Sequence, residues 1–122
     1  MKATELMVGD WVCLKDDIKC ELPLKVDGVL TDDISLEGEG FLGGAEGLIR
    51  PIPLTPEILE KNGWWFDTED TWRHDEVNFT IEKWNGRYQC YDINQIKLDS
   101  VHQLQRALRC CGLWDIADNF VV

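Results

Sequence analysis

The chain has 122 residues, a hydrophobic fraction of 44% and six Trp, which suffices for a packed core and excludes an intrinsically disordered protein. Its formal net charge of −11 is spread along the chain: residues 1–50 hold eleven acidic and five basic residues (−6), and residues 51–122 hold twelve and seven (−5). Because such a field repels phosphate, we expect neither nucleic acid nor an anionic membrane as a partner.

The cysteines and the N-terminal residues bear on location and metal binding. Five Cys is an odd number, and no charged and apolar export signal precedes Leu6, so we expect reduced thiols and a cytoplasmic protein. No uncharged apolar stretch approaches the roughly 20 residues of a membrane-spanning helix. The Cys and His spacings match no metal-binding pattern, so we expect no metal site and no cofactor.

The first half of the chain reads as β structure. Short apolar runs with turn residues between them predict strands within 6–15, 24–30 and 34–36. A Gly-rich loop, 38–47, leads into an extended segment, 48–53, whose two prolines suit an edge strand. The pattern predicts a meander or a small, partly open barrel.

The next element is a short helix over 56–62. Thr-Pro-Glu at residues 55–57 offers a side-chain cap, a proline whose missing N–H costs nothing, and an acid beside the positive helix end. Gly63 ends it. A Trp-rich, acidic connection, 64–76, follows.

The strongest β signal is a hairpin over 77–93. Its Asn85-Gly86 pair favours a two-residue turn, because both residues tolerate positive φ. This turn places Ile81 opposite Cys90 and Trp84 opposite Arg87. The predicted core face carries Val77, Phe79, Ile81, Tyr88 and Cys90. The other face carries Asn78, Thr80, Glu82, Trp84, Arg87, Gln89, Tyr91 and Ile93.

An amphipathic helix over 101–111 is the clearest helical prediction. Ser100 and Gln103 form a capping box, and Gly112 is the stop. Its apolar stripe, expected to pack on the hairpin core face, consists of Val101, Leu104, Leu108 and Cys111. Residues 119–122 are expected to form a last short strand. The whole chain is predicted to be one α+β domain, 1–122.

Aromatic side chains are the best candidates for a binding surface. They come from the 64–76 connection and from the polar face of the hairpin. Exposed Trp and Tyr beside carboxylates suit stacking on a sugar or anchoring a protein partner, unless another layer of the domain covers them. The candidate binding residues are Trp64, Trp65, Trp72, Trp84, Arg87 and Tyr91.

Two other motifs suggest chemistry. Residues 38–43 match GxGxxG, but no helix follows to hold a pyrophosphate, so we interpret them as a loop. Residues 72–76 gather His74, acids and an Arg, which leaves a small hydrolase as a hypothesis without a nucleophile motif.

Three blocks of sequence carry a family resemblance: MKATELMVGDWV (1–12), IPLTPEILEKNGW (52–64) and VHQLQRALR (101–109). Together they resemble a family of short uncharacterised proteins from Bacteroides-type bacteria and their mobile elements. The resemblance implies an intracellular accessory protein, carries no known activity and transfers no functional residue. It places any specificity in the β regions, 15–48 and 66–98.

The leading hypothesis is a non-enzymatic, acidic protein-binding or adaptor module, related to phages or mobile elements, whose partner has a basic surface. Carbohydrate binding through exposed Trp and Tyr is the first alternative, and a hydrolase using His74 is the second. A DNA mimic is disfavoured because the acids are interspersed with Lys and Arg.

Overall fold

The structure of the protein is a computed structural model that describes residues 5–30, 33–43, 47–68, 70–90 and 96–122. It is an α+β protein, as the sequence predicts. Its two open antiparallel sheets have five and four strands and are followed by C-terminal helices. The chain forms two compact units, Met1–Ile52 and Pro53–Val122. The single domain over 1–122 stays a prediction.

The five-stranded sheet belongs to the first unit. Its order is β4-β3-β2-β1-β5, a four-strand meander to which the last strand adds beside the first. The sheet is open, so the meander and not the barrel is correct, and the proline-bearing β5 lies at an edge as predicted. The predicted loop at 38–47 is corrected in one respect, because it contains β4. The strands are β1 Trp11–Leu14, β2 Leu24–Val29, β3 Ile34–Leu36, β4 Gly40–Leu42 and β5 Ile49–Pro51.

One face of this sheet forms the core of the first unit. Alternation along each strand sends its apolar residues to the same side, where Val12 and Ile34 are completely buried. The cluster consists of Leu6, Val12, Leu24, Val26, Ile34, Leu36 and Ile49.

A disulfide lies on the opposite face. Cys13, from β1, is bonded to Cys20 in the turn that follows, so the expectation of reduced thiols is wrong for this pair. The remaining described cysteines, Cys90, Cys110 and Cys111, are not in a disulfide. Spacing alone could not indicate the pair, because the turn between the two residues decides whether their sulfurs meet.

Asp17 organises that turn. Its two carboxylate oxygens accept hydrogen bonds from the backbone N–H groups of Glu21 and Leu22, each at 2.9 Å. The bonds from Leu22 and then Glu21 hold the pKa of Asp17 below its ordinary value of 3.8, with a smaller contribution from the positive charge of Arg50. The Arg50 guanidinium also donates to the backbone carbonyls of Asp17 and Ile18.

The second unit holds the four-stranded sheet and the described helices. The strand order is β6-β7-β8-β9, so each strand pairs with its neighbour in sequence. No described helix is long and apolar enough to cross a membrane. The elements are α1 Pro56–Lys61, β6 Trp64–Thr68, β7 Thr71–His74, β8 Ile81–Trp84, β9 Arg87–Cys90, α2 Val101–Cys110 and α3 Trp114–Asp118.

The predicted hairpin forms with the predicted register. Ile81 pairs with Cys90 and Trp84 with Arg87, and the two turn residues, Asn85 and Gly86, have φ of 52° and 76°. The strands are shorter than predicted, because 77–80 is not strand. Residues 91–93 of the prediction lie outside the described residues.

The 64–76 connection is not a loop, and this is the main correction to the predicted fold. Its residues form a second hairpin, β6 with β7, in which Phe66 pairs with Trp72. A register shift follows Phe66, and Asp70 takes a positive φ of 61° at the turn. The sequence lacks the Asn-Gly signal and the clean alternation that identified the other hairpin.

Both predicted helices form. The Thr55 hydroxyl caps α1 by accepting from the Ile58 N–H at 3.3 Å, and the Ser100 N–H donates to the Gln103 side chain at 3.1 Å in the capping box of α2. Cys111 is the residue that caps the C-terminal end of α2 and is exposed, so its place in the apolar stripe is wrong. The expected strand at 119–122 is also wrong, since α3 precedes it and these residues are not strand.

The buried face of the sheet and the buried stripe of α2 supply the core of the second unit. Burial of Tyr88, followed by the negative charge of Glu57, raises the pKa of the Tyr88 hydroxyl. Buried side chains include Leu59, Trp64, Trp72, Phe79, Ile81, Tyr88, Cys90, Leu98, Val101, Leu104, Leu108 and Phe120.

Candidate functional site

The second face of the four-stranded sheet is the candidate site. Strand alternation points its side chains away from the core, and every one of them is exposed or partly exposed. We call this surface the open face. It consists of Trp65, Thr71, Arg73, Glu82, Trp84, Arg87 and Gln89.

Trp84 and Arg87 form one end of the open face. They are paired residues on either side of the tight turn, so the turn holds their side chains next to each other. Trp84 is 61% exposed, and Arg87 is exposed. The predicted aromatic binding surface requires solvent-exposed side chains, and Trp84 and Arg87 meet that requirement.

Trp65 forms the opposite end. It is 41% exposed, and its indole N–H donates to the Asp75 carboxylate at 2.9 Å. That hydrogen bond restrains the ring while leaving part of it in solvent. A restrained, exposed indole loses little conformational entropy when it contacts a ligand.

Trp64 and Trp72 are corrected from surface residues to core residues. They are only 2% and 5% exposed, because they occupy the alternate positions of β6 and β7 that point to the core. Trp64 meets His74 edge-on, with ring centroids 4.7 Å apart, and Trp72 meets Phe66 edge-on at 5.5 Å. Neither indole is accessible to a ligand. Tyr91, also predicted for the site, lies outside the described residues.

Polar side chains lie between the two exposed Trp residues. Glu82 is opposite both Thr71 and Gln89 on the neighbouring strands. Arg73 is in an ion pair with Asp67, with Nε and Oδ2 2.5 Å apart. The open face therefore presents two aromatic ends and a centre that can donate and accept hydrogen bonds.

The pairing also fixes how far apart the aromatic ends are. Trp84 lies two strands across and four residues along from Trp65, which standard strand spacing converts to about 17 Å between backbone positions. This separation is larger than a single sugar ring. A ligand that touches both indoles must be extended or must itself be a surface.

His74 is fixed by the backbone on both of its ring nitrogens. Nε2 lies 3.1 Å from the Asn62 carbonyl oxygen, and Nδ1 lies 3.1 Å from the Glu76 backbone N–H. The carbonyl can only accept and the N–H can only donate, so this hydrogen-bond pattern fits the tautomer with its proton on Nε2. Neither nitrogen is left to take a proton from a nucleophile.

Gly63 makes this arrangement possible. Its φ is +90°, and a Cβ at this position would come within 2.7 Å of the His74 Nε2 atom. Only a residue without a side chain allows the ring to approach the backbone this closely. The sequence identified Gly63 as the residue that ends the helix. It did not indicate that the His74 imidazole packs against this glycine.

A groove of about 530 Å³ opens beside the His74 ring. Asn62 connects two of the segments that line it, because its side-chain amide donates to the Val121 carbonyl and accepts from the Val121 N–H, each at 2.8 Å. We call it the His74 groove. It is lined by Lys61, Asn62, Gly63, His74, Asp75, Glu76, Asp115, Ile116, Asn119 and Val121.

A third cluster, in the first unit, has metal-binding residue types. Ligand atoms of Cys13, Asp17 and Cys20 lie within 4.8 Å of one another. The two sulfurs are joined in the disulfide, however, and thiolates are what a metal needs. Both Asp17 oxygens already accept backbone hydrogen bonds. The cluster is therefore better explained as a stabilised turn.

Comparison with known proteins identifies no relative of this chain. No protein-family description, curated protein or solved structure matches the chain. The fold and the geometry of the open face and the His74 groove are therefore the features that bear on function.

Proposed function

We propose that this protein is a non-enzymatic binding module that recognises a protein partner through the open face. The observation that carries the proposal is the placement of Trp65 and Trp84, both substantially exposed, on one sheet face. Exposed Trp flanked by Arg and hydrogen-bonding groups is the composition of energetically dominant residues at protein interfaces.

The dimensions of the open face favour a protein over a small molecule. Its two indoles are about 17 Å apart by strand spacing, and a strip of that length is comparable to the central part of a standard interface. Small-molecule sites are concave, whereas these side chains project from a sheet surface.

The charge of the chain favours a partner with a basic surface. A net charge of −11 accelerates association with cationic proteins at low ionic strength and slows it with anionic ones. The family resemblance of the three sequence blocks suggests that this partner belongs to a bacterial host or to a mobile element.

Capture from bacterial lysate with paired variants tests the proposal. The immobilised protein should retain one or more basic proteins at low salt, and the double variant Trp65→Ala/Trp84→Ala should lose them. Trp114→Ala is the matched control, because Trp114 is 48% exposed on α3 and not on the sheet. Retention that is equal in the double variant, or no retention above background, would contradict the proposal.

Carbohydrate binding is the second candidate, favoured by the 61% exposure of Trp84 since indole faces stack on sugar rings. The spacing of the indoles requires an oligosaccharide for both to take part. Titration of a glycan panel, followed by Trp fluorescence, checks this candidate. Unchanged fluorescence across the panel removes it.

The geometry disfavours the hydrolase hypothesis. Because both His74 nitrogens are bonded to backbone groups, we expect His74→Ala to lower the melting temperature, since it removes these bonds and the contact with Trp64. A catalytic histidine predicts the reverse: loss of an activity with an unchanged melting temperature.

A further inference from the structure

We infer that the His74 groove binds an arginine side chain of the partner that docks on the open face. The inference rests on the proposed function and adds the chemical group that the partner must supply. Trp65 connects the two sites, because its indole belongs to the open face and its N–H donates to Asp75, which lines the groove. A partner that contacts this indole therefore reaches the rim of the groove.

The charges of the groove select a cation. Three carboxylates line it, from Asp75, Glu76 and Asp115, against one ammonium group, from Lys61. Within the described residues, the carboxylates of Glu76 and Asp115 have no hydrogen-bond or ion-pair partner. They are left to receive N–H groups from a ligand.

Two other polar side chains of the groove already have hydrogen-bond partners. Asn62 uses its side chain on Val121, and His74 uses both nitrogens on the backbone. These bonds fix the floor of the groove before any ligand arrives, which lowers the entropy cost of binding. Besides the single ammonium group of Lys61, the groove offers a ligand its carboxylates and its apolar wall.

The shape and lining favour arginine over a small metal cation or a bare ammonium ion. The groove volume of about 530 Å³ falls in the usual range for ligand sites and has room for a long side chain. Ile116 and Val121 offer apolar surface for its methylene groups. A planar guanidinium has five N–H donors in a fork that matches carboxylates and is more weakly hydrated than ammonium.

The direct test is an NMR titration of the ¹⁵N-labelled full chain with N-acetyl-arginine N-methylamide. We expect saturable shifts at residues 74–76 and 115–119 and at the Trp65 indole N–H, with a dissociation constant on the order of millimolar for so small a probe. The citrulline analogue keeps the shape without the charge, and the lysine analogue keeps the charge without the fork. Both should bind at least about five-fold more weakly.

Variants locate the site. Glu76→Gln/Asp115→Asn should weaken the arginine probe at least about five-fold, whereas Asp99→Asn, which removes an exposed acid outside the groove, should leave it within two-fold. No saturable shift up to about 50 mM probe, or an unchanged affinity in the double variant, overturns the groove as a cation site. Equal binding of the lysine or citrulline analogue overturns the selection of arginine.

The same proteins separate failure of this inference from failure of the proposed function. Trp84→Ala should not alter the probe titration, because Trp84 does not line the groove, but it should weaken partner capture. Capture without probe binding overturns the groove alone. Probe binding without Trp-dependent capture overturns both the partner and the proposed function. If the probe binds and capture depends on the tryptophans, Glu76→Gln/Asp115→Asn must also weaken capture. Unaffected capture in that variant overturns the link between the groove and the partner.

Discussion

Both faces of the four-stranded sheet carry tryptophan, but its environment differs between them. Trp64 and Trp65 are adjacent in sequence, yet the first is 2% exposed and the second 41%. The first packs edge-on against His74, and the second is held at the surface by Asp75. Aromatic content alone therefore does not identify a binding surface. The strand alternation that divides the residues between core and solvent does.

The largest expected difference between the faces is in stability. Trp64→Ala removes a buried indole and should lower the free energy of unfolding by about 3–5 kcal/mol. Trp65→Ala removes a half-exposed ring with one hydrogen bond and should cost about 1 kcal/mol or less. Urea denaturation measures both. Equal losses would mean that the two faces are not distinct.

The helix that supplies the other side of the core gives the next effect. Leu104 is completely buried on α2, so Leu104→Ala should cost about 2–5 kcal/mol. Leu104→Met keeps the volume and should cost less than about 1.5 kcal/mol. Thermal and urea unfolding of the two variants provide the comparison. A small loss in the Ala variant would contradict a tightly packed core at this position.

Substitution of Gly63 tests the close packing of the His74 ring against the backbone. Gly63→Ala combines a strained backbone at φ +90° with a Cβ 2.7 Å from the His74 Nε2 atom, so we expect a loss of about 2–4 kcal/mol. Gly112→Ala is the matched control, since its φ is +78° and nothing lies within 4 Å of an added Cβ. Its loss should be about 1–2 kcal/mol, from backbone strain alone. Identical losses of stability in the two variants would show that the His74 ring moves away from the added Cβ without cost.

The smallest expected effect concerns Asp17 and pH. Because the folded state holds the pKa of Asp17 below 3.8, its ionised form stabilises the turn above that pH, and the contribution is lost as the pH falls through the lower, folded-state pKa. The melting temperature of the wild type should therefore exceed that of Asp17→Asn near neutral pH, with a smaller difference near pH 2. A difference independent of pH would contradict this role.

Local signals predicted those parts of the fold that local chemistry determines. Asn85-Gly86 fixed the register of one hairpin, and Thr55 and Ser100 marked two helix starts. The β6–β7 hairpin was missed because Trp, Trp and Phe follow one another without apolar and polar alternation. Burial on one side and exposure on the other became visible only with the strand pairing.

The candidate site was predictable in part for the same reason. The register of the β8–β9 hairpin placed Trp84 and Arg87 on one face, but it did not determine whether that face is exposed. The His74 groove was not predictable, because Asn62, His74, Asp115 and Val121 come from separate segments that only the tertiary fold brings together. The Cys13–Cys20 pair likewise depends on the path of the turn between them.

The measurement that tests the central claim most directly is the affinity of a captured partner for matched Trp variants, by calorimetry at fixed ionic strength. The open face predicts a loss of roughly 30-fold or more for Trp65→Ala/Trp84→Ala, the scale of an interface hot spot, and a change below about two-fold for Trp114→Ala. Equal affinities for the double variant and the wild type would contradict the open face as the recognition surface.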